Sequence, residues 1–275
     1  MGLGTRMTNG WQVAKNSLAV LNAHKELIIF PVLSGLSMLL VIGSFLSVVY
    51  GAFGWAQVDT DKYSSGTIYL FLFCFYIVNY FIVVFFNMGL VHCAKLYFDG
   101  EEVSVAKGLR FSAGRIHYIF LWAVFAATVG TALRFIQDNV GWLGKIIVGI
   151  VGIVWSAATF FVIPILAYEN VGPAEALKRS ANLMKQKWGE GITANFSLGL
   201  ISFCAILLVA VGGMAISALV NETAGVLIMV AGILFIITIS SALHTILISA
   251  LYNQVNGDLN EHFNSQLLDD LFVEK

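Results

Sequence analysis

Six unbroken apolar stretches, each long enough to cross a bilayer as a helix, constrain this chain more than any motif in it. A hydrocarbon core of about 30 Å takes about 20 helical residues. Runs of at least that length lie at residues 27–53, 68–96, 116–136, 142–168, 192–220 and 224–252. Lipid offers no water to exposed N–H and C=O groups, so such segments must close their hydrogen bonds internally, as helices. The expected fold class is all-α, a polytopic transmembrane helical bundle of six spans. Composition agrees, with 59% of the 275 residues hydrophobic and only 11% charged, where a soluble domain has about 25% charged. The narrowest division is RFIQDNVGWLGK (residues 134–145), which reads as a short turn because each flank can span alone. No segment joins a short apolar core to a small-residue cleavage site, so the N-terminus is expected to stay on the protein.

The few charges are sorted. Numbering the loops alternately, one side receives Arg6, Lys15, Lys25, Lys95, Lys107, Arg110, Arg115, Lys178, Arg179, Lys185, Lys187 and Lys275, and the other only Lys62, Arg134 and Lys145. Lys and Arg accumulate on cytoplasmic loops. Both termini and the two longer loops are therefore expected in the cytoplasm of a cell-membrane protein. The net charge of −1 says nothing about nucleic acid, because what matters in a membrane protein is where each sign sits, and no nucleic-acid partner is expected.

The densest inside loop is ALKRSANLMKQKWGEG. Pro173 suits a first helical position and Gly189 and Gly191 a helix stop. Leu177, Ala181, Met184 and Trp188 recur at the spacing of one helical stripe, with Lys178, Asn182 and Lys185 on an adjacent face. A helix of this kind can lie in the interface, apolar side toward acyl chains and cations toward anionic headgroups. Lys15, Lys107, Arg110, Lys178, Arg179, Lys185 and Lys187 are thus candidate lipid-headgroup residues. As topology determinants on a connector the same residues need no ligand.

Part of this stretch recurs. AKNSL (14–18), LRFSA (109–113) and LKRSA (177–181) each combine a base, then Ser two residues later, between small or apolar residues, and each precedes a pair of spans. The chain therefore reads as one membrane domain, 1–275, built of three units at about 8–97, 103–168 and 173–252, each an interfacial helix followed by a hairpin. The second span of each unit ends in LYFDG, AYENVG or LYNQVNG. There Tyr suits the headgroup level, the polar residues can cap carbonyls, and Gly can take the left-handed conformation that stops a helix. From 253 to 275 follows an acidic cytoplasmic tail with Asp258, Glu261, Asp269, Asp270 and Glu274, a natural partner for the basic helices.

The segment PILAYENVGPAEALKRSANLMKQKWGEG (164–191) resembles a Pro, acidic, Gly, Ala-Leu-base-Ser pattern shared by prokaryotic polytopic families known only as domains of unknown function. It is also similar to the membrane domain attached to some glycerophosphoryl diester phosphodiesterases. GWQVAKNSLAVLNAHKELIIFPVLSG (10–35) and SALHTILISALYNQVNG (241–257) look like one such uncharacterised family, over nearly the whole chain. The resemblance implies six helices and transfers no catalytic residue, because the soluble phosphodiesterase domain has no counterpart here.

Catalytic motifs are missing. There is no HExxH, GxSxG or Walker A sequence, so the chain is not expected to be an enzyme. Cys74, Cys93 and Cys204 fall within spans and read as packing residues. The five His show no ligand spacing, so neither a metal nor a cofactor is expected.

Polar residues within spans remain. Asn79, Asn87 and His92 interrupt the second span and Ser240, Ser241, His244 and Thr245 the sixth, where unpaired polar atoms are costly, so they are expected to face the interior. Interhelical hydrogen bonding accounts for them more simply than a transport path does. Arg134 and Asp138 are spaced as an i, i+4 pair. Gly149, Gly152 and Ser156 in the fourth span, and Gly212, Gly213 and Ser217 in the fifth, allow close helix approach, within the chain or with a second copy. Three readings follow. A non-enzymatic protein binds lipid or another amphiphile, or organises membrane partners, at the inner leaflet. A small-solute transporter or oligomeric channel is the alternative, although neither a broken helix nor a ring of charge is expected. An intramembrane lipid enzyme would need a convergent polar site that the sequence does not assemble.

Overall fold

In the computed structural model the described residues are 17–18, 20–53, 65–186, 188–219 and 221–255, and all regular structure among them is helical. A 3-10 turn at Lys25–Ile28 leads into α1 (Ile29–Phe53). There follow α2 (Ser65–Phe98), α3 (Val105–Gly114), α4 (Ile116–Asn139), α5 (Trp142–Ala158), α6 (Val162–Tyr168), α7 (Pro173–Gln186), α8 (Trp188–Leu219) and α9 (Glu222–Val255). Six stretches among the described residues are long and apolar enough to cross a membrane: Lys25–Gly51, Gly66–Phe98, Ile116–Asn139, Gly144–Tyr168, Leu198–Leu219 and Glu222–Asn253. They coincide with the six runs read from the sequence. Their outward side chains include Leu40, Ile153, Leu208 and Phe235, all largely exposed. A surface this apolar is matched to lipid, where its burial is favourable.

The chain divides into two compact units, one of Met1–Pro31, Leu90–Lys107 and Lys185–Lys275, the other of Val32–Gly89 and Gly108–Met184. In the first unit α8 and α9 form a hairpin that closes on small residues. A Cβ built on Gly213 would lie 2.5 Å from Met229 Cβ, one on Gly232 2.6 Å from a Val209 methyl, and one on Gly225 would overlap the Ser217 backbone. The close approach foreseen for Gly213 and Ser217 is therefore made within this chain. Asn221 caps α9, its side-chain oxygen accepting the Ala224 N–H at 2.9 Å. Ser202 and Ser240 hydroxyls bond across the hairpin at 2.7 Å.

The far end of α9 is this unit's core. Residues 245–253 are buried on every side, Leu27 and Phe30 are sealed, and Ser249 Oγ donates to the Val91 carbonyl at 3.3 Å. Tyr252, expected at the headgroup level, is only 3% exposed and so belongs to this core. It lies within the buried stretch 245–253, and enclosure by that packed end outweighs the preference of an isolated Tyr for the interface.

In the second unit α1 packs on α2 through Phe45, whose ring lies 4.9 Å from Phe71 and 5.0 Å from Phe75. Trp122 of α4 stacks on Trp155 of α5 with centroids 6.1 Å apart and planes 5° from parallel. Gly149 and Gly152 meet nothing within 4 Å, so they mediate no packing among the described residues.

The fourth span is broken, contrary to expectation. It stops at Ala158 and restarts at Val162. Pro164 explains the restart, because it has no N–H to give the Phe160 carbonyl and its ring would collide with it, whereas in a first helical turn both defects vanish. The break is then secured from α7, where Ser180 Oγ accepts the Phe161 N–H at 2.9 Å.

Two further expectations are corrected. Gly189 and Gly191 lie inside α8 and do not stop α7, which begins at Pro173 as read and ends at Gln186. Among the described glycines only Gly100, at φ 72°, takes the left-handed conformation assigned to each closing motif.

Candidate functional site

Three consecutive residues at the end of α6 tie three other elements together. The Tyr168 ring lies 5.8 Å from Phe111 of α3, Glu169 forms an ion pair with Arg179 of α7, and Asn170 faces the start of α4. Asn170 Oδ1 accepts from Arg115 Nη1 at 2.6 Å and from the Tyr118 hydroxyl at 3.4 Å. Arg115 occupies the corner between α3 and α4, its guanidinium 5.9 Å from the Phe111 ring centre and 5.4 Å from that of Tyr118. Contacts of this kind hold a cation by the negative faces of the rings. AYENVG thus works as a hub here, where the sequence suggested an anchor and caps.

The Ser of each recurring pentapeptide is buried: Ser17, Ser112 and Ser180 are all at or below 1% exposure. Ser112 Oγ donates to the Phe85 carbonyl of α2 at 2.8 Å, as Ser180 accepts from Phe161. On α7 the buried positions are Ala176, Ser180 and Met184, flanked by half-buried Leu177 and Ala181. This face packs on protein, which corrects the expectation that it turns to acyl chains; the buried line takes Ala176 and Ser180, one residue before Leu177 and Ala181, and shares Met184 with the stripe first read. Lys178, Arg179, Asn182 and Lys185 are exposed.

Of the remaining headgroup candidates, Arg110 is exposed, and Lys107 is exposed but bonds the Glu102 carbonyl at 2.8 Å and its carboxylate at 3.7 Å. Lys15 and Lys187, Trp188's side chain and the acidic tail beyond residue 255 lie outside the described residues. Arg134 pairs with Asp138 at 3.1 Å as its spacing suggested.

The intramembrane polar residues are divided between the two units. Asn79 and Asn87 belong to one unit, and His92, Ser241 and His244 to the other. Asn79 Nδ2 is spent on its own helix, bonding the Phe75 carbonyl at 2.7 Å. Asn87, His92 and His244 are half-buried. Ser241, expected inside, is exposed, and its carbonyl accepts from buried Thr245 at 3.0 Å. Sequence reasoning missed Arg115, Tyr118 and Asn170 as a group. Their only signal was Arg115 as one more inside charge.

Six apolar helices whose outer surfaces suit lipid define a multi-pass integral membrane protein. Residues 66–261 match the model of a family of unknown function, DUF6159, and the chain belongs to that family. A comparison with curated proteins gives no match.

Proposed function

We propose that this is a non-enzymatic protein of the cell membrane that binds anionic lipid at the inner leaflet through short basic helices lying beside its spans. The observation that carries the reading is α7. It sets Lys178, Arg179 and Lys185 outward while Ala176, Ser180 and Met184 are buried. An amphipathic helix so placed offers cations at headgroup depth, each worth about 1 kcal/mol near an anionic surface. Twelve of fifteen Lys and Arg fall on the side assigned to the cytoplasm, where anionic lipids attract them. The three pentapeptides, each with a buried Ser, support a threefold repeat of helix plus hairpin, and in the second and third units that serine bonds the backbone of a span. The likeness to a membrane domain joined to some phosphodiesterases fits a role at a lipid surface. Homo-oligomers or other membrane proteins are further partners of the same basic face, and neither nucleic acid nor a cofactor is part of the reading.

The test is reconstitution in phosphatidylcholine nanodiscs with and without phosphatidylglycerol. Wild type should gain thermal stability from the anionic lipid, and K178Q/K185Q, which leaves the Glu169–Arg179 pair in place, should lose most of that gain while unfolding normally in phosphatidylcholine. An unchanged gain in the variant would remove these residues from lipid binding.

One observation favours a second reading, a small-solute transporter or channel: the break in the fourth span. Discontinuous helices line the substrate sites of many transporters. Vesicles holding the protein should then pass a solute or ion, at a rate altered by changing Asn87 or His244.

A further inference from the structure

We infer that Arg115 is the phosphate-recognising residue of a site for the headgroup of an anionic glycerophospholipid, formed where α3, α4 and the Glu169–Asn170 link meet. The inference rests on the lipid-binding reading and assigns it a particular site.

Two arginines reach this link and are treated differently. Arg179 is neutralised by Glu169. Arg115 is held by an amide oxygen and two aromatic rings, and among the described residues no carboxylate pairs with it. Its position is fixed without its charge being cancelled. Asn170 engages Nη1, and the guanidinium has five N–H donors in a planar fork suited to two oxygens of a phosphate. Because the rings and the amide already hold the side chain, little rotamer freedom remains to be lost on binding. Tyr118 donates to the same Asn170 oxygen, so that oxygen is turned toward its donors and away from an incoming anion.

The surrounding charge has the right sign. At this corner the described residues of the unit carry Arg110, Arg115, Lys178 and Arg179 against Glu169 and Glu175. The apolar neighbours select a lipid over a free anion. Ile116 and Phe120, one turn apart at the start of the α4 span, are 50% and 51% exposed. A phosphate on Arg115 would let its acyl chain run down these residues into the bilayer, burying surface that a free phosphate leaves uncovered.

The experiment compares R115Q, R115K and K178Q/K185Q in phosphatidylcholine nanodiscs titrated with phosphatidylglycerol, following thermal stability and bound lipid by native mass spectrometry. R115Q should weaken the tightest bound phosphatidylglycerol about tenfold or more, the loss expected for one charge-assisted forked contact. R115K should restore it only in part, because lysine keeps charge but loses the fork and the stacking. The double variant K178Q/K185Q should keep that tightest lipid and lose the weaker ones. Full retention by R115Q would overturn the inference and leave the broader reading standing, provided the double variant still loses lipid. If R115Q merely loosens the fold, its stability in pure phosphatidylcholine falls; N170A, which frees Arg115 but keeps the charge, then decides, and unchanged affinity for that lipid in N170A overturns the site. Stabilisation by inorganic phosphate equal to that by the lipid overturns the choice of ligand.

Discussion

Gly225→Ala is expected to destabilise the protein more than any other single-methyl change in the α8–α9 hairpin. The added Cβ would fall on the backbone of Ser217, which cannot yield unless α8 itself shifts. Overpacking of this kind costs about 1–3 kcal/mol, while replacing a helical Gly by Ala returns only about 1 kcal/mol. At Gly232 the neighbour is a Val209 methyl 2.6 Å from the built Cβ, so Ala there should cost less and Leu should again force the helices apart. Gly43 supplies the control, because a Cβ there meets nothing within 4 Å and its Ala variant should be neutral or slightly stabilised. Thermal unfolding of the purified variants in one detergent gives the order. Equal midpoints for G225A and G43A would mean that the hairpin is not closed on Gly225.

Ser180→Ala is expected to open the break in the fourth span. The Phe161 N–H is buried and has Ser180 Oγ as its acceptor, so the alanine variant strands a donor at a cost of about 1–3 kcal/mol. Ser112→Ala should cost less. It removes a donor from the Phe85 carbonyl, which sits inside α2 and retains its own helical partner. Hydrogen exchange resolves the two cases better than stability alone: amide exchange at Phe161 should quicken in S180A and stay slow in S112A. Unaltered exchange at Phe161 in S180A would assign the break to Pro164 by itself.

These two sites differ in how far the sequence revealed them. The spans were legible because lipid imposes one solution on a long apolar run, and the structure's limits differ from the sequence's by a few residues. Helix pairing along the hairpin was half legible: Gly213 and Ser217 announced a close approach, but only the fold names Met229 and Gly225 as what they approach. The break was written in Pro164, whose missing N–H was there to be used. The serines of the pentapeptide were seen as a repeat and not as pins, since a hydroxyl's partner lies 19 or 27 residues away. The Arg115 cluster was the least legible part. Asn170 is 55 residues from Arg115, and no local spacing joins an amide after one span to a cation before another.

Lipid binding is tested most directly by native mass spectrometry of the full chain extracted gently from its own membrane, wild type beside K178Q/K185Q. The wild type should retain anionic phospholipid, and the variant, equally folded because Glu169 keeps Arg179, should retain less. A wild-type protein that emerges without anionic lipid, or a variant that retains as much, would contradict it.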